Sequence, residues 1–101
     1  MEVKKTFKDL ISSEEPVLVD FFATWCGPCK AMNPVVQELA QEVSGKARVI
    51  KIDIDKNQSA AMQYGVQAVP TFMIFKIGEF VWRHTGCTSL SKLKQAGSQF
   101  A

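Results

Sequence analysis

Two cysteines three residues apart, Cys26 and Cys29, stand where an apolar run gives way to an amphipathic one, and they are the side chains of this chain best suited to chemistry. Gly27 and Pro28 separate them, and Trp25 precedes them. A thiol at the start of a helix faces amides that have no intrahelical acceptor. Those N–H groups and the helix dipole stabilise a negative sulfur, so Cys26 is expected to be the more acidic thiol. Cys29 falls on the same helical face, within reach of a disulfide. Pro28 suits a first helical turn, where its missing N–H costs nothing, and Gly27 leaves the approach to Cys26 open. One use of such a pair is a structural staple. A bridge across two intervening residues, however, takes little entropy from the unfolded chain, so a pair that opens and closes is the better reading.

The flanking elements must position these thiols. Upstream, Val17-Leu18-Val19-Asp20-Phe21-Phe22 is the almost continuous apolar run of a strand buried on both faces, ending near Thr24. Downstream, Met32, Val35, Val36, Leu39, Ala40 and Val43 recur at spacings of three and four, the stripe of a helix packed on a sheet. Pro34 falls inside that helix and predicts a kink, and Gly45 ends it. Asp20 is the odd residue in the strand. A carboxylate there must be paired, solvated or neutral, and desolvation raises its pKa.

Elsewhere the signals are shorter. A brief strand is expected around Glu2 to Lys4. Thr6 and Asp9 have capping-box spacing ahead of a helix of about two turns carrying Phe7, Leu10 and Ile11. Arg48 to Asp53 alternates as a strand, Ser59 to Tyr64 reads as a short helix closed by Gly65, and Thr71 to Phe75 is a second heavily apolar strand. A turn at Ile77-Gly78 leads to an antiparallel partner over Phe80 to Thr85. Because a β-branched residue resists positive φ, that turn is expected not to be type I′, with Gly78 alone taking the unusual angle. Ser89 caps a last helix whose shared face holds Leu90, Leu93, Gly97 and Phe100. The order β-α-β-α-β-α-β-β-α, with right-handed parallel crossovers, describes an α/β protein whose helices cover both faces of a mixed sheet.

With 101 residues, 47% of them apolar, the chain suits one domain over residues 1–101 that folds without staples. A net charge of +2 is too small to argue for nucleic acid or an anionic membrane. Charges occupy the positions where a signal peptide needs its apolar core, and no run approaches transmembrane length. Three cysteines, an odd number, form no secreted-type framework. A cytoplasmic location is expected.

The segment from Val19 to Lys30, with Trp25-Cys26-Gly27-Pro28-Cys29 at its centre, resembles the active-site segment of the thioredoxin family. Lys51-Ile52-Asp53-Ile54-Asp55, Tyr64-Gly65-Val66, Val69-Pro70-Thr71 and Thr85-Gly86 match further family landmarks in order and spacing. That family is itself the standard illustration of a CxxC thiol acidified at a helix start, so the lowered pKa of Cys26 is its example and no separate derivation. The resemblance implies the thioredoxin fold, a five-stranded mixed sheet of order 1-3-2-4-5 flanked by four helices. It implies a dithiol–disulfide oxidoreductase in which the Cys26 thiolate attacks a protein disulfide and Cys29 then resolves the mixed disulfide. Asp20 becomes a buried proton acceptor for Cys29, acting through water, with Lys51 as its charge partner; the alternative is a solvated strand end that only tunes stability. A cis proline at Pro70 would sit beside the dithiol. Trp25, Gly27, Pro28, Val69, Pro70, Thr85, Gly86 and Cys87 would form the docking rim for substrate. No bound cofactor or metal is implied. A thioredoxin reductase drawing on NADPH would recharge a monomeric protein.

Cys87 departs from the small residue expected on that rim. It reads as a free cysteine behaving as a small apolar side chain, or as an exposed third thiol. Cys26, Cys29, His84 and Cys87 could supply a zinc set, but a proline beside the dithiol would obstruct a ligand, and His84 reads as a solvent-facing strand residue. Two rival functions remain: a non-catalytic binding module of the same fold, and a glutathione-coupled or oxidising relative. Both thiols are present against the first, and Gly27-Pro28 favours a reducing protein over the second.

Overall fold

Val17–Phe22 form a strand, β1, in which the first five residues are buried, as their apolar character requires of a strand covered on both faces. In the computed structural model, which describes residues 6–101, β1 is flanked in chain order by α1 (Phe7–Ile11), α2 (Gly27–Glu42), β2 (Arg48–Asp53), α3 (Gln58–Gln63), β3 (Thr71–Lys76), β4 (Glu79–Thr85) and α4 (Leu90–Gln99). β1 pairs parallel to β2 and antiparallel to β3, and β3 pairs antiparallel to β4, giving the order β2-β1-β3-β4. The five-stranded expectation is corrected to four strands among the described residues. Counted with a preceding strand, these four have the anticipated relative order 3-2-4-5; the expected strand at Glu2 to Lys4 lies outside the described residues.

The period-two alternation of β1 divides the core. Val17, Val19 and Phe21 pack with Ile52, Met73 and Phe75 against Ile11 of α1 and Ala60 of α3. On the other face Leu18, Phe72 and Ile74 meet Met32, Val36 and Leu39 of α2 and Leu93 and Ala96 of α4. Phe21, Phe72 and Phe75 are fully buried, each stabilising by about 1.5–3 kcal/mol. Asp20 and Phe22 share the α2 face, which puts a carboxyl directly beneath the helix that carries the cysteines.

Local chemistry sets the boundaries. In the capping box the Thr6 Oγ1 accepts from the Asp9 amide at 3.2 Å while Asp9 Oδ2 accepts from the Thr6 amide at 3.1 Å. The helix that follows has five residues, shorter than expected. Ser89 Oγ accepts from the Lys92 amide at the start of α4, where Leu93 and Ala96 are buried and Gly97 is half-buried. Pro34 lies inside α2 as read.

The turn between β3 and β4 differs from expectation. Ile77 has φ 52 and Gly78 φ 78, the two positive values of a type I′ turn between the paired Lys76 and Glu79. The Ile77 amide donates to Ser13 O at 2.9 Å and the Gly78 amide to Ile11 O at 3.0 Å. These bonds to the end of α1 and the loop after it hold isoleucine in a region it disfavours.

Candidate active site

β1 ends and α2 begins within four residues, so the chain turns sharply at the C-terminal end of the sheet. Cys26 is the N-cap of α2, with extended backbone, and the Cys29 amide donates to its Sγ at 3.1 Å. The sulfur thus occupies the place of the oxygen of a capping side chain, accepting one of the unpaired amides of the first turn. Pro28 lies in that turn. Cys26 and Cys29 are joined by a disulfide with their Cα atoms 5.3 Å apart. Both residues are recessed, each 4% exposed, and a Cβ at Gly27 would meet only open space.

Three segments meet beside the disulfide. Cys26 Sγ lies 3.6 Å from Val69 O, and the Val69-Pro70 peptide is cis. Pro70 O accepts from the Gly86 amide at 2.8 Å, and Cys87 Sγ lies 4.0 Å from Pro28 O. Gly86 has φ 98, a conformation side chains rarely adopt. Thr71 Oγ1 donates to Ala68 O at 2.6 Å, and Arg83 donates to Tyr64 O and Gly65 O, pinning both ends of the segment that carries Pro70. Trp25, Gly27, Pro28, Thr85 and Cys87 are exposed, Val69 and Gly86 half-buried, and Pro70 buried. Trp25 is 68% exposed, and its indole Nε1 donates to Asp55 Oδ2 at 2.9 Å.

Asp20 is 2% exposed, and its Oδ1 has no hydrogen-bond partner among the described residues. Burial pushes its carboxyl up to about 6, with the Lys51 ammonium pulling the other way. Lys51 stands opposite Asp20 in the β1–β2 register and acts on it through space, without a salt bridge between them. Its Nζ donates instead to Asn33 Oδ1 at 2.6 Å and lies 4.7 Å from the centroid of the Phe22 ring. A lysine head is strongly hydrated on a long stem, so it reaches the surface while its stem covers apolar neighbours. Here it borders a cavity of about 270 Å³ lined also by Phe22, Ala23, Thr24, Cys29, Lys30 and Asn33.

Cys87 is a free, exposed cysteine, so the apolar-packing reading of it is the one the structure disfavours. His84 is half-buried rather than solvent-facing: its ring stacks on Trp82, and Nε2 lies 3.2 Å from Cys87 O. Among the described residues no three His, Cys, Asp or Glu side chains group to hold a metal ion. Two site neighbours escaped the sequence reading. Asn33 follows Cys29 by four residues, which places it on the same helical face, and Asp55 closes the Lys51–Asp55 landmark; spacing could have found the first, the unpaired indole N–H of Trp25 the second.

The thioredoxin family model matches residues 1–98. Thioredoxin 1 of a Nostoc species is 47% identical over 91 residues, covering 89% of this chain and 85% of its own. A mutant thioredoxin from Halobacterium salinarum is 42% identical with a TM-score of 0.84, over 92% of this chain and 80% of the other. The thioredoxin of Malassezia sympodialis is 36% identical with a TM-score of 0.85, over 93% and 82%. Likeness of this extent, centred on a dithiol capping a helix, makes the chain a member of the thioredoxin family.

Proposed function

We propose that this protein is a thiol–disulfide oxidoreductase that reduces disulfides of other proteins. The observation that carries the reading is the Cys26 sulfur seated as the N-cap acceptor of the Cys29 amide, where a thiolate is stabilised, with a second sulfur already within bonding reach. In the reduced protein the Cys26 thiolate attacks one sulfur of a client disulfide, and the other client sulfur leaves as a thiolate. Cys29, deprotonated by Asp20 through water, then attacks Cys26 Sγ and expels the second client thiolate. The client gains two electrons, and the protein is left as the disulfide. Lys51 acts on Asp20 through space.

Trp25, Gly27, Pro28, Val69, Pro70, Thr85, Gly86 and Cys87 receive the client segment. The protein works as a single-domain monomer over residues 1–101, with no resident cofactor, in a reducing compartment such as the cytoplasm. A thioredoxin reductase spending NADPH restores the dithiol. Insulin reduction with NADPH and such a reductase, run beside a glutathione-coupled assay, tests this. Turnover in the first assay and little in the second is expected. Turnover only with glutathione would assign the protein to the glutathione-coupled class, and inactivity in both, with dithiothreitol also failing, would leave a binding module.

A further inference from the structure

Lys51 stands opposite the buried carboxyl in the β1–β2 register, yet two neighbours, not the carboxylate, hold its head. Asn33 Oδ1 accepts from Nζ at 2.6 Å, and the Phe22 ring lies beneath it at 4.7 Å. Phe22 is two residues from Asp20 on the same face of β1, so the ammonium is fixed on the side of the strand end that carries Cys29. The remaining charged or titratable groups toward this face are few. On β2, Asp53 already accepts from the Asp55 amide through Oδ1. On α2, Lys30 borders the same cavity as Cys29. On β3, Asp20 meets Phe72, and His84 lies beyond it on β4, stacked on Trp82. Among the described residues the Asp20 Oδ1 has no hydrogen-bond partner, and the through-space charge of Lys51 is the cationic influence on it.

We propose that Asn33 is a positioning residue: by accepting from Lys51 it fixes the ammonium over the Phe22 ring, and so sets the pH at which the covered Asp20 carboxyl can take a proton from Cys29. Released from the amide, the lysine head moves into water, because an ammonium is better solvated there than beside a buried carboxyl. Its charge then acts on Asp20 from farther off through a higher dielectric.

The proposal rests on the reductase reading for its consequence, but its test does not. The Asp20 carboxyl carbon is followed by NMR against pH in the oxidised protein, with no client or reductase present. In Asn33→Ala the titration midpoint is expected to rise by about 0.5 pH unit. Lys51→Met is expected to raise it at least as far, and adding Asn33→Ala to Lys51→Met is expected to change nothing more. An unchanged or lowered midpoint in Asn33→Ala would overturn the assignment, as would a shift that persists without the lysine. Should the insulin assay fail while the titrations behave as described, the reductase reading falls and the positioning role stands. Where both succeed, the pH profile of mixed-disulfide resolution in Asn33→Ala moves upward with the carboxyl.

Discussion

The two ends of the central sheet each hold something the fold disfavours, and they hold it in different ways. Toward the C-terminal end of β1 a carboxyl is buried on the face covered by α2, one of its oxygens unbonded among the described residues. At the opposite end an isoleucine is held at φ 52 by two backbone bonds to the end of α1 and the loop after it. The first is electrostatic and depends on pH; the second is steric and does not. Only the first lies beside groups that react. Local instability is therefore not by itself a mark of function, and the property that separates the two ends is whether the disfavoured group can exchange a proton.

Substituting the cysteines separates the ends most sharply. Cys26→Ser is expected to abolish protein-disulfide reduction, while Cys29→Ser should still attack and then accumulate a mixed disulfide visible by mass spectrometry. Ile77→Asn should turn over as the parent does. Product release from Cys29→Ser at the parental rate would remove the assigned order of attack.

Next in size is Asp20→Asn. The folded pKa of about 6 lies above the ordinary 3.8, so below pH ~4 the carboxyl is protonated in both states and carries no ionisation penalty. As pH rises through that window the unfolded chain ionises first and stability is lost. At pH 8 the variant should therefore be more stable by about 3 kcal/mol, and at pH 4 by only about 0.6 kcal/mol. Denaturant unfolding at both values checks this, and equal gains would break the contrast between the ends. The same substitution should slow resolution of the mixed disulfide more than the first attack.

The smallest effect belongs to the turn. Ile77→Asn puts a residue tolerant of positive φ where isoleucine is strained, and should add about 1 kcal/mol, or several degrees of melting temperature, at both pH 4 and pH 8. A gain confined to one pH would show that the far end, too, is coupled to a titrating group.

Much of this arrangement was legible from residue types. A strand such as β1 announces itself because burial on both faces demands continuous apolar residues, and the dithiol follows from spacing at a strand-to-helix junction. Asp20 was visible as a charge where none is comfortable. The direction of the Lys51 head was not, because a flexible four-carbon stem has several destinations and only the packed neighbours Asn33 and Phe22 select one. Ile77 misled for a related reason. Its own preference opposed a type I′ turn, and the Ser13 and Ile11 carbonyls that outweigh that preference come from a distant part of the chain, the end of α1 and the loop after it.

The 4% exposure of Cys26 has a bearing on which bridges the protein can open. In-line displacement needs the incoming sulfur to approach along the axis of the bond being broken, and the surrounding wall narrows that corridor to a slender, pliable stretch of polypeptide. Cystines locked inside rigid folds are then screened out by shape before their redox energetics are consulted, whereas those on loose or partly opened segments are admitted.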